Sequence, residues 1–198
     1  MSIPFVGLTG GLGAGKSEAL RALSGLGAAT LSTDAVVHDL LASEEVRDVL
    51  VERLGAEVAP GGRVDRTKVA EQVFGDDEAR VWLEGVLWPR VGEQVARWRA
   101  GLEEAEDPPR AAVVEVPLLF ESGMEPVFDT TIAVVADEPL REERAAARGH
   151  ASLAERAGRQ LPQEEKARRA DFTVRNDGSL EDLRAALSQV LARLDSAA

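Results

Sequence analysis

The chain has no cysteine, which excludes disulfide bonds and any thiolate metal centre. It has no apolar run approaching the roughly 20 residues that a membrane-spanning helix requires. No basic segment followed by an apolar one opens it, so no secretory signal is expected. It also lacks a surplus of positive charge: 23 Lys/Arg stand against 35 Asp/Glu, a net charge of -12. Proteins that grip nucleic acid usually present a basic face, and this balance argues against that class of partner. No repeat, low-complexity tract or N-K-x-D guanine-reading motif is present. These absences leave a soluble cytoplasmic protein of 198 residues, long enough for one substantial core and too short for two large domains.

What is present begins at residue 7, with GLTGGLGAGKSEAL. Gly10, Gly15, Lys16 and Ser17 fit G-x-x-x-x-G-K-[ST], the phosphate-binding P-loop. The apolar run Ile3–Leu8 reads as a buried strand before the loop, and residues 16–26 have helical composition after it. Glycines let the backbone turn tightly and aim N–H groups at phosphate oxygens, and the helix start adds the positive end of a dipole. Lys16 would reach the β- and γ-phosphates, with the Ser17 hydroxyl in a Mg²⁺ shell. The pattern points to a bound nucleoside triphosphate, and the missing guanine motif argues against a GTPase.

Further along, β-type runs alternate with helical stretches, the signature of an α/β fold on a parallel sheet. Strands are expected at 3–8, 28–31, 111–116, 130–136 and 172–174, with a last helix over about 180–194. Two insertions depart from simple alternation. One is a helical stretch of about 75 residues, broken at Pro60-Gly61-Gly62 and at Pro89 and ending at Asp107-Pro108-Pro109. The other, from Pro139 to Ala170, carries eight Lys/Arg against five Asp/Glu in an otherwise acidic chain. On a sheet whose ligands bind beyond the carboxyl ends of the strands, the two would cover the site from two sides. The expected organisation is one kinase domain, with a core of about 1–34, 110–139 and 171–198. An acceptor-binding insertion of about 35–109 and a lid of about 140–170 complete it.

Asp34 follows the second strand in LSTDAVVHDLL. A carboxylate there can orient an acceptor hydroxyl or take its proton, and it can equally cap the helix that follows. Position alone does not choose between the two. Arg141, Arg144 and Arg148 recur at i, i+3 and i+7, on one helix face, where guanidinium forks suit phosphate oxygens. A solvated helix laced with Glu–Arg pairs is the plainer reading of most of this island. Trp82, Trp88 and Trp98 read as packing anchors, and His38 and His150 as too isolated for a metal pair.

Taken together, GLTGGLGAGKS, Asp34, VDR at 64–66, EVPLLFE at 115–121 and the late AD…N.G resemble the dephospho-coenzyme A kinase family from Val6 to about Leu183. The P-loop is widely shared, whereas PLLFE after the third strand is far more particular. The resemblance implies a five-stranded P-loop kinase that phosphorylates the ribose 3′-hydroxyl of dephospho-coenzyme A with ATP, the last step of coenzyme A synthesis. It implies catalytic roles for Asp34, Lys16 and Arg144. Contacts to ATP are implied for Gly11, Gly13, Ala14, Gly15, Lys16, Ser17 and Glu18, and for Arg144, Arg148 and Asn176. On the acceptor side it implies Thr9, Asp34, Asp65, Arg66, Pro117, Leu118 and Leu119, and for the metal Ser17 and Glu115. Several positions depart from the family pattern. Ser32 stands where an Asp is usual, Glu18 where Thr is commoner, Trp88 where His is usual, and Glu115 where Asp is usual. Glu18 sits well with the helix dipole but is awkward beside ATP unless it faces solvent.

Overall fold

The computed structural model describes residues 3–147 and 160–197. Arg148, one of the expected arginines, lies outside the described residues. Five strands form the sheet: β1 (Phe5–Gly10), β2 (Ala29–Ser32), β3 (Ala112–Glu115), β4 (Thr130–Val135) and β5 (Phe172–Arg175). The described helices, in chain order, are α1 (Lys16–Ser24), α2 (Thr33–Ala42), α3 (Glu44–Leu54) and α4 (Arg66–Val73). They continue with α5 (Asp77–Glu103), α6 (Glu138–Ala146), α7 (Gln163–Arg169) and α8 (Leu180–Ala197).

All strand pairs are parallel, in the order β2-β3-β1-β4-β5. Every residue of β1 and β3 is buried, as continuous apolar runs demand when helices cover both faces of a parallel sheet. From β1 the chain runs to one flank of the sheet, and from β4 to the other, so the order reverses between β1 and β4. That reversal is where open α/β sheets leave a crevice for ligands, and the P-loop departs from β1 at this point. β1 runs two residues beyond the expected end because Thr9 and Gly10 continue the ladder opposite Ala133 and Val134. The helix expected over 16–26 stops at Ser24, where the Gly25 N–H donates to Arg21 O and Gly27 donates to Ser24 O in a closing turn.

The chain divides into two compact units, Met1–Ser32 with Arg99–Ala198, and Thr33–Trp98. In the sheet unit, Val6 and Leu8 of β1 pack with Leu23 of α1, Ile132 of β4, and Leu183, Leu187 and Leu191 of α8. Each such side chain contributes roughly 1.5–3 kcal/mol on burial, enough for this cluster to dominate the unit's stability. On the opposite side α7 lies against β4 and β1. In the helical unit, Leu41, Val46, Leu50, Val58, Val69 and Leu87 form a core of their own, with Trp82 packed against it. Ser43 caps α3 by accepting from Val46 N, and Asp65 caps α4 by accepting from Thr67 N and Lys68 N.

Pro89 does not interrupt the helical stretch, contrary to the sequence expectation; α5 is continuous through it for 27 residues. Proline removes one helical hydrogen bond and crowds the carbonyl four residues back, here that of Gly85. Arg90 donates from its guanidinium to Val86 O at 2.8 Å, supplying a donor to the loosened turn. Among the described residues, no helix is long and apolar enough to cross a membrane.

Candidate active site

The P-loop connects the buried end of β1 to α1, and its glycines are required by what surrounds them. Gly13 has φ 76° and Gly15 φ 92°, in the left-handed region that β-carbons disfavour. A Cβ at Gly13 would overlap the Arg141 carbonyl oxygen, and one at Gly15 would overlap Asn176 Nδ2. Gly15 occupies the N-cap of α1, which no side chain caps, so the start of the helix is left to a ligand. Gly11, Gly13, Ala14 and Gly15 are buried, whereas Ser17 is exposed. Lys16 Nζ donates to Gly10 O at 3.1 Å and Gly11 O at 3.2 Å, lying back along its own loop. Glu18 pairs with Arg21 at 2.7 Å on the outer side of α1, which keeps its carboxylate partly neutralised.

Three elements from late in the chain brace this loop. Asn176, buried just after β5, donates its side-chain amide to Ala14 O at 2.9 Å. Arg144 donates to Asn176 O at 3.0 Å, and Arg141 donates from Nε to Leu12 O at 3.0 Å. The i, i+3 spacing on α6 therefore does bring both arginines to the P-loop. A cavity of about 280 Å³ opens beside them, walled by Gly11, Leu12, Arg141 and the Leu161–Glu164 segment. On that wall the Glu164 carboxyl is held below its usual range. The main cause is its own backbone N–H, followed by Gln163, with Arg141 and Arg168 adding weaker attraction.

Past β3, the EVPLLFE segment is fastened from beneath. Lys166 of α7 is fully buried and donates to Pro117 O at 2.6 Å while pairing with Glu121 at 2.9 Å. Glu121 also accepts from Leu161 N at 2.7 Å, and its second oxygen is buried without a partner among the described residues. Burial pushes the Lys166 ammonium below its ordinary range, opposed by the hydrogen bond and charge of Glu121. Gln163 closes the arrangement: it donates to Ala136 O at 2.8 Å and accepts from Ala136 N at 3.2 Å.

Two residues of the acceptor expectation, Thr9 and Leu119, are buried in this geometry. Thr9 is fully buried and donates its hydroxyl to Pro117 O at 3.3 Å, so it supports the segment from within. Leu119 is fully buried against Gly7 for the same reason: the segment must anchor itself in the core to hold a fixed course. Pro117 and Leu118 remain partly exposed. Glu115, the last residue of β3, is buried at 6% exposure.

In the helical unit, Asp34 stands in the first turn of α2, one residue inside the helix. It is exposed and makes no hydrogen bond among the described residues, so its side chain does not cap α2. Asp65 is engaged as the cap of α4. Arg66 donates to His38 Nδ1 at 3.2 Å.

Sequence reasoning missed the Lys166–Glu121 pair and the Gln163 clamp. Their partners lie 45 and 27 residues apart, and α7 (QEEKARR) offers no apolar stripe to mark its buried face. The double use of EVPLLFE, as motif and as anchor, was the available signal.

Comparison with known proteins agrees with this architecture. Residues 4–182 match a family model described as dephospho-CoA kinase. The dephospho-CoA kinase of Protochlamydia amoebophila is 36% identical over 193 residues, covering 96% of this chain and 95% of that protein. A crystal structure of a Thermus thermophilus protein superimposes with a TM-score of 0.80 at 36% identity, covering 98% of this chain and 99% of that one. The structure titled dephospho-CoA kinase from Campylobacter jejuni gives a TM-score of 0.65 at 24% identity, with 98% of each chain covered, and so shares the fold.

Proposed function

The chain belongs to the dephospho-CoA kinase family, and from that membership we propose that it moves the γ-phosphoryl group of ATP onto the ribose 3′-hydroxyl of dephospho-coenzyme A. The observation that carries the reading is the P-loop itself: left-handed glycines at 13 and 15, an uncapped helix start, and two arginines and an asparagine converging on the loop.

In the proposed reaction, Lys16 swings from its own loop carbonyls to the β- and γ-phosphates, which rest on the N–H groups from Gly11 to Ser17. Arg144, with Arg141 beside it and Arg148 further along, offsets the charge of the transferring group. Asp34 orients the acceptor 3′-hydroxyl and takes its proton. That oxygen bonds to the γ-phosphorus as the bond to the β–γ bridging oxygen breaks, and ADP leaves with the electron pair. Asp65, Arg66, Pro117 and Leu118 are the acceptor contacts of this reading. Asn176, holding Ala14, stands by the nucleotide. Ser17 and Glu115 would hold Mg²⁺ in this reading, since both offer the oxygen donors that it prefers, and the Ser17 hydroxyl makes no hydrogen bond among the described residues. Bound there, the metal supplies charge neutralisation to the β- and γ-phosphate oxygens. ATP and dephospho-coenzyme A are thus the proposed partners, without nucleic acid, and the cytoplasm the proposed location.

Incubating the protein with ATP·Mg²⁺ and a set of acceptors, followed by mass spectrometry, tests the assignment. One phosphate should appear on the ribose of dephospho-coenzyme A and none on shikimate or gluconate. Turnover of either sugar acid without dephospho-coenzyme A would overturn it.

A further inference from the structure

The helical unit contains a cleft of about 480 Å³ whose walls include His38, Leu41, Arg47, Arg63, Val64 and Arg66. Its charge is out of keeping with its surroundings. Between Thr33 and Trp98 the sequence has eight Lys/Arg and fourteen Asp/Glu, a net charge of -6. Yet no carboxylate lines this cleft.

The pairing of the arginines sharpens the contrast. Of the seven in this unit, five have carboxylate partners: Arg47 with Asp48, Arg53 with Glu78, Arg80 with Asp77, Arg90 with Glu45 and Arg97 with Glu93. Among the described residues, the two without one are Arg63 and Arg66, and both lie in the cleft. The side-chain hydrogen bond that Arg66 makes among them is to a ring nitrogen of His38, at 3.2 Å. Arg63 makes no hydrogen bond or ion pair among the described residues. The carboxylate between them in sequence, Asp65, is turned to the Thr67 and Lys68 backbone N–H groups instead.

Uncompensated guanidinium groups gathered in a concave site, inside a unit of opposite charge, are suited to a multiply charged anion. Their planar forks match phosphate oxygens in two-point contact, and the Leu41 and Val64 side chains give the site an apolar floor beside the charge. The acceptor proposed above carries a diphosphate joining its adenosine to its pantetheine arm.

We propose that Arg63, together with Arg66 and with Arg47 at the edge, forms the subsite that holds the diphosphate of the acceptor. This assignment rests on the dephospho-coenzyme A reading. Arg63 is the discriminating residue, because it is exposed and partnerless, so its loss leaves the fold intact.

The test is steady-state kinetics of the full chain as wild type, Arg63→Ala and Arg63→Lys, with melting temperatures measured alongside. Arg63→Ala should raise KM for dephospho-coenzyme A about tenfold, the scale of one charge-assisted hydrogen bond in a partly solvated site. KM for ATP, kcat at saturating acceptor and the melting temperature should stay unchanged. Arg63→Lys should recover part of the loss, since it keeps the charge and loses the fork. The wild-type KM for the acceptor should also rise with salt more steeply than that of Arg63→Ala. An unchanged acceptor KM in Arg63→Ala, or an equal rise in both KM values, overturns the subsite while leaving the proposed reaction standing. Wild type that does not phosphorylate dephospho-coenzyme A at all removes the reaction and the subsite together.

Discussion

The two units hold their candidate functional groups in opposite ways. In the sheet unit, the groups around the P-loop are tied down: Lys16 to two carbonyls, Asn176 to Ala14, Arg141 to Leu12 and Arg144 to Asn176. In the helical unit, the exposed Asp34 and Arg63 side chains make no hydrogen bond among the described residues, and Arg66 donates to the His38 imidazole. A triphosphate has the same shape in every nucleotide, so a rigid, prebuilt cradle loses nothing by being fixed. An acceptor with a long flexible arm is better met by side chains that order on binding, with part of the binding energy offsetting that ordering. The contrast predicts that substitutions at Asp34 and Arg63 alter catalysis alone, while those at the tied groups around the P-loop alter catalysis and stability together.

The largest separation should come from Asp34→Asn. The variant keeps the shape of the side chain and loses the ability to take a proton. General-base contributions correspond to roughly 10²–10⁴ in rate, or about 3–5 kcal/mol. Phosphoryl transfer through a loose transition state needs little deprotonation early, which places the expected fall in kcat near 10². The melting temperature should hold, because the carboxylate has no hydrogen bond to lose beyond a few tenths of a kcal/mol with the α2 dipole. A stability loss matching the activity loss would erase the contrast between the units.

Lys166→Met should do the reverse. It strands the Glu121 carboxylate in a buried position, and breaking one side of such a pair costs about 3 kcal/mol. Denaturant unfolding would read this directly, and acceptor KM should rise too as Pro117 loses its donor. The pH dependence has a definite sign. The folded ammonium titrates below the ordinary 10.5, so between its folded pKa and 10.5 the unfolded chain binds more protons. The stability advantage of wild type over the Met variant should therefore grow as pH rises through that window.

Gly15→Ala should cost less stability than Lys166→Met, about 2 kcal/mol, from a left-handed alanine and a displaced Asn176 amide. Its signature is a weaker ATP dissociation constant measured together with a lower melting temperature. A fall in ATP affinity without any loss of stability would show that the brace is not part of the fold.

What could be read from the sequence divides along the same line. The P-loop was legible because its function is a matter of local backbone, written in fourteen consecutive residues. The inner strands β1, β3 and β4 were legible because both faces of a parallel sheet are buried there, which gives apolar runs, whereas the edge strands β2 and β5 are only partly buried and mix polar residues in. The i, i+3 spacing of Arg141 and Arg144 likewise gave their common face. Pro89 misled, since a rule about the residue alone cannot see that the Arg90 guanidinium supplies a donor to Val86 O in the turn that the proline loosens. Lys166 was illegible for a deeper reason: nothing in QEEKARR separates a lysine bound for the core from one bound for water. Arg63 was passed over because what distinguishes it is a missing partner, which only three dimensions reveal.

The Asn176 brace has a consequence for how the protein is made. It joins residues 162 positions apart, so the loop after β1 leaves the ribosome long before its partner does. The central strand β1 likewise waits for β3 and β4, both more than 100 residues downstream, before either edge is paired. A nascent chain therefore carries a glycine-rich loop without its brace until Asn176 has been made. Chains that stop before residue 176 should accordingly bind ATP more weakly than chains that include it.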